Sequence, residues 1–383
     1  MKRTSRAARL IFLAFGLAIS SWAPLVPYTK LRLELDDAQL GMVLFVYGLG
    51  ALFMMPLTGW LINQFGSRKI TFLAGLAVIT MLPFLAVAQT TAALCLILFL
   101  FGVSTGAMNV SINAQAVDIE IASQAPVMSG LHCWFSIGGL SGAVIVSSLL
   151  ERDVDLLHCM LSVAIIFALL LLSQWRHLLP FISQIKEAKV AKNGITLPDP
   201  QVIFLGGLCF IAFMAEGSML DWSAEYLRSN LNYHPALAAI GYALFSIAMA
   251  FGRFVGDSII KKWGILFVFQ TGSFLAASGF LMVINVNAGY GELIGFCLIG
   301  LGASNVVPIL FSSAGRIRGV SSNFASSLIT TCGYVGLLLG PAFIGFIAEA
   351  NNLSLSFAVL AILLTGVGIS GRKVIPLPSI SES

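Results

Sequence analysis

Charged residues are scarce in this chain of 383 residues, because Asp, Glu, Lys and Arg together make up 10% of it. An ordinary soluble domain carries about 25% charged residues, so a water-exposed surface over most of the chain is excluded. No basic stripe of the kind that binds nucleic acid is present, and no nucleic-acid partner is expected. The chain is instead 58% hydrophobic, with a mean hydropathy of +0.95.

Motifs for catalysis and for cofactor binding are also lacking. The six cysteines stand singly, without a Cys-x-x-Cys pair, and the four histidines show no metal-ligand spacing. There is no Gly-x-x-x-x-Gly-Lys-Ser/Thr loop for nucleotide phosphates, no nucleophile elbow and no pair of catalytic carboxylates. We therefore expect no enzyme activity, no metal ion and no cofactor.

Apolar runs long enough to cross a bilayer as helices recur along the whole chain. They contain Gly, Pro, Asn and Ser, a mixture typical of packed transmembrane helices. Twelve spans are predicted, six in each half, near residues 9–28, 39–62, 69–88, 92–115, 127–150, 154–175, 201–222, 236–260, 264–284, 291–313, 322–348 and 353–371. The predicted fold class is an all-α membrane protein.

The distribution of Lys and Arg predicts how these spans are oriented. Seventeen of the 21 cationic residues fall on one side of the twelve-span arrangement, Arg253, Lys261 and Lys262 among them. By the positive-inside rule that side is cytoplasmic, and both termini are expected there. The basic, apolar N-terminus resembles a signal peptide but lacks a clear cleavage site, so it is interpreted as a retained first helix.

Short matched segments indicate that one half of the chain repeats the other. Gly106 to Val110 and Gly302 to Val306 share four of five residues at a separation of 196 positions. Further matches keep the same order at offsets of 198 to 200: Gly138-x-x-x-Gly142 with Gly336-x-x-x-Gly340, Gly41-x-x-Leu44-Phe45 with Gly241-x-x-Leu244-Phe245, and Ile62 to Gly66 with Ile260 to Gly264. The predicted halves are residues 1–175 and 201–383, joined by a cytoplasmic linker over 176–200.

The stretch from Gly59 to Lys69 resembles the cytoplasmic signature of the major facilitator superfamily, Gly-x-Leu-Ala-Asp-Arg-x-Gly-Arg-Lys. Asn63 occupies the position of the acidic residue in that signature, and Gln64 occupies the position of its first arginine. A charge-pair latch is therefore weakened in the first half, and its charged counterpart is expected at Arg253 and Asp257 in the second. The resemblance implies two pseudo-symmetric six-helix halves that rock about a midplane site.

Within that superfamily, Leu131 to Gly138, following Asn113 and Glu120, resembles the fucose permease branch of proton-coupled sugar transporters and its uncharacterised bacterial relatives. The resemblance implies a monomeric secondary transporter in a bacterial inner membrane. Its partners would be protons, the lipid bilayer and a small-molecule substrate, such as a sugar, a polyol or a derivative. Two alternatives stay open: a proton-coupled exporter of amphipathic compounds, and a non-transporting membrane sensor of a ligand.

Glu216 and His132 are the candidates for proton coupling. Glu216 is the acidic residue placed well inside a span, about 22 Å from the cytoplasmic start of span seven. Burial in a membrane disfavours a charged carboxylate, so Glu216 could exchange a proton during transport; helix packing is the alternative. His132 could relay protons or bind substrate, and a packed, hydrogen-bonded histidine is its alternative.

Polar residues on a shared helix face are the candidates for the substrate cavity. Thr105, Asn109 and Asn113 recur every four residues of span four, and Asn305 takes the matching place in span ten. With Trp22 and His132 they complete the predicted set. Interhelical hydrogen bonding is the alternative for Asn109 and Asn305, and anchoring at the membrane interface is the alternative for Trp22.

Residues at the predicted mouths of the transport path are the candidates for gating. Those on the cytoplasmic side are Asn63, Arg68, Lys69, Asp118, Glu120, Arg253 and Asp257, and Asp221 lies at the outer mouth. Solvated surface charge is the alternative for Asp118 and Glu120.

Overall fold

A computed structural model of the protein describes residues 2–35, 37–180, 199–231, 240–285, 290–317 and 320–374, so the predicted linker over 176–200 lies mostly outside the described residues. Within these ranges the secondary structure is helical, without strands. The α-helices in chain order are α1 Lys2–Ser20, α2 Val26–Arg32, α3 Asp37–Phe65, α4 Ser67–Val87, α5 Thr91–Ser123, α6 Met128–Leu150, α7 Leu156–Gln174, α8 Pro200–Ser229, α9 Ile240–Trp263, α10 Ile265–Asn285, α11 Gly291–Ala303, α12 Val306–Ala314, α13 Ser322–Ala350, α14 Leu353–Ile369 and α15 Gly371–Val374.

In the described part of the chain, eleven segments are long and apolar enough to cross a membrane, and α14 is a further apolar helix of 17 residues. Span one joins α1 to a short 3-10 turn over Ala23–Leu25, and span ten joins α11 to α12. The predicted spans are confirmed in order and position. The protein is therefore an all-α membrane protein whose twelve transmembrane helices form two six-helix halves.

Packing divides the chain into two compact units. The first unit consists of Met1–Val127, Leu131–Ala188 and Ser326–Thr331, and the second of Met128–Gly130, Lys189–Ala325 and Cys332–Ser383. The first three residues of α6 are thus grouped with the second unit, and an internal segment of α13 is grouped with the first. The short segments Met128–Gly130 and Ser326–Thr331 begin 198 positions apart, which is the offset of the sequence repeat.

The repeat is visible in the turns after α3 and α9. Gly66 and Gly264 have φ angles of 83° and 84°, a left-handed conformation that glycine adopts without steric cost. Their backbone N–H groups donate to the carbonyls of Ile62 and Ile260, at 2.7 and 2.8 Å. The matched segments found in the sequence therefore form the same helix ending in each half.

The matched Gly-x-x-x-Gly pairs also pack alike. A Cβ added at Gly138 of α6 would collide with the carbonyl oxygen of Leu13 in α1, and one added at Gly336 of α13 would collide with that of Phe210 in α8. Glycine is therefore required for the close approach of the two backbones in each helix pair. The matched motifs therefore serve helix packing in both halves.

We predict that Gly138→Ala destabilises the protein by about 1–3 kcal/mol, because the added methyl group must displace the α1 backbone. The matched control is Gly139→Ala, where an added Cβ meets no atom within 4 Å; it should be neutral or stabilising by up to about 1 kcal/mol. Thermal unfolding of the two purified variants in detergent provides the comparison. Equal unfolding temperatures would contradict the proposed role of Gly138.

Candidate functional site

Span ten is interrupted at Ser304 and Asn305, between α11 and α12. Asn305 has φ −108° and ψ −4°, which departs from α-helical geometry. Pro308 lies four residues after Ser304 and has no N–H to donate to the Ser304 carbonyl. The break therefore presents a backbone carbonyl that lacks its usual helical donor.

Arg253 of α9 donates a hydrogen bond to that carbonyl and also pairs with Glu216 of α8. Its Nε donates to the Ser304 carbonyl oxygen at 3.3 Å, and its Nη2 lies 3.4 Å from Glu216 Oε1. The Arg253 side chain is 7% exposed and the Glu216 side chain is 27% exposed. A buried guanidinium requires such compensation, because its desolvation costs several kcal/mol. Three segments of the second unit thus meet at one ion pair.

Asn305 binds the backbone beside Arg253. Its Nδ2 donates to the Gly252 carbonyl at 3.0 Å and to Ser304 Oγ at 2.9 Å. A Cβ at Gly252 would overlap Ser304 Oγ, and one at Gly256 would overlap Asn305 Oδ1, so the glycines admit this contact. The Asn305 amide makes the interhelical hydrogen bond that the sequence allowed as an alternative, and a role in lining the cavity stays a prediction.

Asp257, one turn after Arg253, binds the start of α6. Its Oδ1 accepts from the Ser129 N–H at 3.1 Å and its Oδ2 from the Gly130 N–H at 2.9 Å. The first N–H groups of a helix lack intrahelical acceptors and carry partial positive charge, so a carboxylate is favoured there. Asp257 therefore acts as a cap for α6 from a different helix.

The sequence analysis counted Arg253 with Lys261 and Lys262 on the cytoplasmic side, and the structure adds that its side chain is buried within the span. Arg253 lies ten residues before Trp263, about 15 Å from the end of α9, and its side chain is buried. The sequence did contain a signal for this contact. A carboxyl inside a span requires a cationic or hydrogen-bonding partner, and Arg253 is the cation deepest within a predicted span of the second half.

The predicted polar face of span four is formed in α5. Thr105 Oγ1 lies 3.2 Å from the Tyr47 hydroxyl and 3.1 Å from the Gly102 carbonyl oxygen. Asn113 Nδ2 donates to Asn109 Oδ1 at 2.6 Å and to the Asn109 carbonyl at 2.9 Å. The contact between Asn109 and Asn113 joins two residues of this face, whereas Thr105 contacts Tyr47 of α3.

His132 and Trp22 lie in the same unit as that face. The His132 ring packs edge-on against Phe12 of α1, with ring centroids 5.7 Å apart. Trp22 follows the end of α1 and is 9% exposed. The first unit therefore contains five of the candidate cavity residues, namely Trp22, Thr105, Asn109, Asn113 and His132. The second unit contains the cavity candidate Asn305 and the proton-coupling candidate Glu216.

The acidic gating candidates of α5 make local contacts. Glu120 is 3% exposed, and its Oε2 accepts from the Val127 N–H at 3.1 Å, which braces the turn between α5 and α6. The Asp118 carboxyl is hydrogen-bonded to the Ser67 side chain at the start of α4. Glu120 is thus buried, which argues against the interpretation as a solvated surface charge.

The basic gating candidates of the first half contact aromatic rings. The Arg68 guanidinium lies 5.3 Å from the centroid of Trp175, and the Lys69 ammonium lies 5.1 Å from that of Phe65. Such cation–π contacts contribute about 0.5–1 kcal/mol at exposed sites. Asn63 and Asp221 are exposed on α3 and α8.

Gln115 of α5 was missed by the sequence analysis. Its side chain is 2% exposed, and its Nε2 donates to Ser67 Oγ at 2.7 Å and to the Leu179 carbonyl at 3.0 Å. Its Oε1 accepts from the Leu179 N–H at 3.0 Å. Gln115 thereby fixes the backbone at the start of the predicted linker to the first unit. A buried amide inside a span was the signal available for it.

We predict that Arg253→Gln lowers the stability of the protein, because it leaves the Glu216 carboxylate partly buried without its cation. Glu216→Gln in the same chain should recover part of the loss, with a coupling free energy of about 1–3 kcal/mol. Thermal unfolding of both single variants and the double variant gives this value. Strictly additive effects would contradict the ion pair.

The chain is a multi-pass membrane protein: its helices are apolar, and charged residues such as Arg253 and Glu216 pair with each other within them. The sequence profile of the Major Facilitator Superfamily matches residues 10–322. The chain belongs to this superfamily of transporters, and the resemblance seen in its sequence is confirmed.

Related proteins align with nearly the whole chain. An uncharacterised transporter of this type from Yersinia pestis is 42% identical over 368 residues, which cover 96% of this chain and 95% of the relative. An uncharacterised transporter from Sinorhizobium fredii is 30% identical over 363 residues and 94% of each chain. The solved structure of FucP in the outward conformation aligns with a TM-score of 0.84 at 15% identity, over 97% of this chain and 98% of FucP, and so shares the fold.

Proposed function

We propose that the protein is a secondary active transporter that moves a small polar solute by alternating access and proton symport. Glu216 and Arg253 form the coupling pair. The observation that carries this proposal is the ion pair between them, in which Arg253 is 7% exposed and Glu216 27% exposed. Further support is the shared fold with solved structures described as a fucose:proton symporter and a proton:xylose symporter.

The pair supplies a physical reason for coupling. Two opposite charges in a poorly solvated site stabilise each other, and neutralising one leaves the other uncompensated at a cost of several kcal/mol. A proton that binds Glu216 therefore removes the negative charge that stabilises Arg253, which favours a new contact for Arg253. Glu216 is the less buried of the two partners, so we propose that it is the one that exchanges the proton.

The first unit contains neutral polar residues that are candidates for binding the solute. Thr105, Asn109 and Asn113 provide hydroxyl, amide and carbonyl groups on one face of α5, which suit a solute rich in hydrogen-bonding groups. Trp22, His132 and Asn305 complete the candidate cavity residues, and His132 is a second candidate proton carrier. The proposed location is the bacterial inner membrane, and the distribution of Lys and Arg supports an orientation with both termini in the cytoplasm.

Asp257 is proposed as a gating residue. Its two hydrogen bonds to the start of α6 combine charge with the helix dipole, a contact that contributes about 0.3–2 kcal/mol. An interaction of this size is strong enough to favour one conformation and weak enough to break in each cycle. Asn63, Arg68, Lys69, Asp118, Glu120, Asp221 and Arg253 remain the other gating candidates.

We predict that Glu216→Gln abolishes accumulation of the solute driven by a pH gradient but retains exchange of labelled for unlabelled solute, because the amide cannot carry the proton. A thermal-shift screen of sugars, polyols, amino acids and drugs at two pH values identifies the solute, and proteoliposomes then measure both modes. The matched control is Glu225→Gln on the same helix, whose carboxylate forms an exposed pair with Arg228 at 2.8 Å. Undiminished accumulation by Glu216→Gln would refute the proposed coupling.

We predict that Asp257→Ala changes the maximal rate of transport as well as stability, since it removes both bonds to α6. The control is Asp155→Ala, because Asp155 caps α7 through an exposed bond to the Leu157 N–H at 3.1 Å. Each variant should lose about 1 kcal/mol of stability, but only Asp257→Ala should alter the rate of uptake per molecule. Equal uptake rates in the two variants would eliminate Asp257 as a gate.

A further inference from the structure

We propose that the solute carried with the proton is an anion, bound by the guanidinium of Arg253 while the proton occupies Glu216. This inference rests on the proposed proton coupling and adds the charge class of the solute. In this arrangement the two charges that enter the site, one positive and one negative, sum to zero.

The guanidinium of Arg253 is held in place by a contact that does not involve Glu216. Its Nε donates to the Ser304 carbonyl at 3.3 Å, which is available because Pro308 carries no N–H. The adjacent backbone at Gly252 is fixed by the Asn305 amide at 3.0 Å. Protonation of Glu216 therefore leaves the positive charge where it was, without its carboxylate partner.

The difference in burial between the two partners decides the sign of the solute. Arg253 is 7% exposed, against 27% for Glu216. A cationic solute that took the carboxylate would deprive the more buried guanidinium of the Glu216 charge, which is the costlier outcome. An anionic solute that takes the guanidinium leaves only a protonated, neutral Glu216.

The geometry of the pair also favours exchange of its anionic partner. The 3.4 Å separation between Arg253 Nη2 and Glu216 Oε1 exceeds the roughly 2.7–2.9 Å of strong charge-assisted hydrogen bonds. A solute carboxylate that approaches the planar guanidinium can form shorter, paired bonds. Proton binding and anion binding then reinforce each other.

Other titratable groups surround the pair. They include Tyr242 of α9 and Cys209 of α8, which both interact with Glu216. All of these surrounding groups are neutral or acidic by side-chain type. Arg253 therefore supplies the positive charge of this cluster, and its single charge matches a monocarboxylate.

The test uses probes that differ only in charge: gluconate, glucitol and glucamine share one carbon skeleton, and glycerate, glycerol and aminopropanediol form a shorter set. Thermal unfolding of the full chain is measured with each probe at acidic and at alkaline pH. Carboxylates should stabilise the protein, with an apparent affinity about tenfold higher at acidic pH. Stabilisation by the alcohols or amines that equals that of the carboxylates, or none by any carboxylate, would overturn the proposal.

Two variants assign the effect to the pair. Glu216→Gln should bind the carboxylates with an affinity that no longer depends on pH. The double variant Glu216→Gln with Arg253→Gln should bind the carboxylates at least about tenfold more weakly than the single variant does. Equal carboxylate affinity in the single and double variants would refute binding by Arg253.

Transport in proteoliposomes separates failure of this inference from failure of the proposed function. If a pH gradient drives accumulation of an alcohol or an amine while the carboxylates stay inert, the anion assignment is wrong and proton-driven transport stands. If carboxylates bind with the expected pH dependence but none accumulates, the transport proposal fails and the anion site stands.

Discussion

The buried positive charge of Arg253 is the constraint on which the polar interior of the second unit depends. A guanidinium in a transmembrane helix requires partners, and the Glu216 carboxylate and the Ser304 carbonyl are two of them. The second partner exists because Pro308 interrupts the hydrogen bonding of span ten. Asn305, at the same break, fixes α9 through the Gly252 carbonyl. One proline therefore links the broken helix to the charge pair proposed to couple protons to transport.

The two halves share their packing but differ in their charges. Gly138 and Gly336 admit neighbouring helices in the same way, and Gly66 and Gly264 end helices with the same conformation. At the repeat offset of 198, however, Arg253 corresponds to Met55, whose carbonyl accepts from Ser327 Oγ at 2.6 Å. The charged cluster thus belongs to the second half, whereas the first half presents the amides and hydroxyls of α5. The two halves therefore share a helical scaffold and differ in the polar groups that it holds.

The architecture could be predicted from the sequence, because hydrophobic length, the bias of Lys and Arg and the matched motifs are local or periodic signals. The shared face of Thr105, Asn109 and Asn113 follows from helical periodicity in the same way. The partner of Glu216 could not be derived so directly. Periodicity states which face a residue occupies but not which helix packs against that face, and Arg253 was grouped with the lysines that follow it. Gln115 was missed for the same reason, since Ser67 and Leu179 are distant in sequence.

The proposed role of Glu216 is tested most directly by the number of protons that the purified protein takes up when solute binds, measured with a pH-sensitive dye in weakly buffered detergent solution. At a pH where Glu216 is ionised in the absence of solute, we predict an uptake of about one proton for each solute bound, because binding and protonation are linked. Glu216→Gln should bind solute with no uptake. The same uptake in the variant and in the unaltered protein would contradict the assignment of the coupled proton to Glu216.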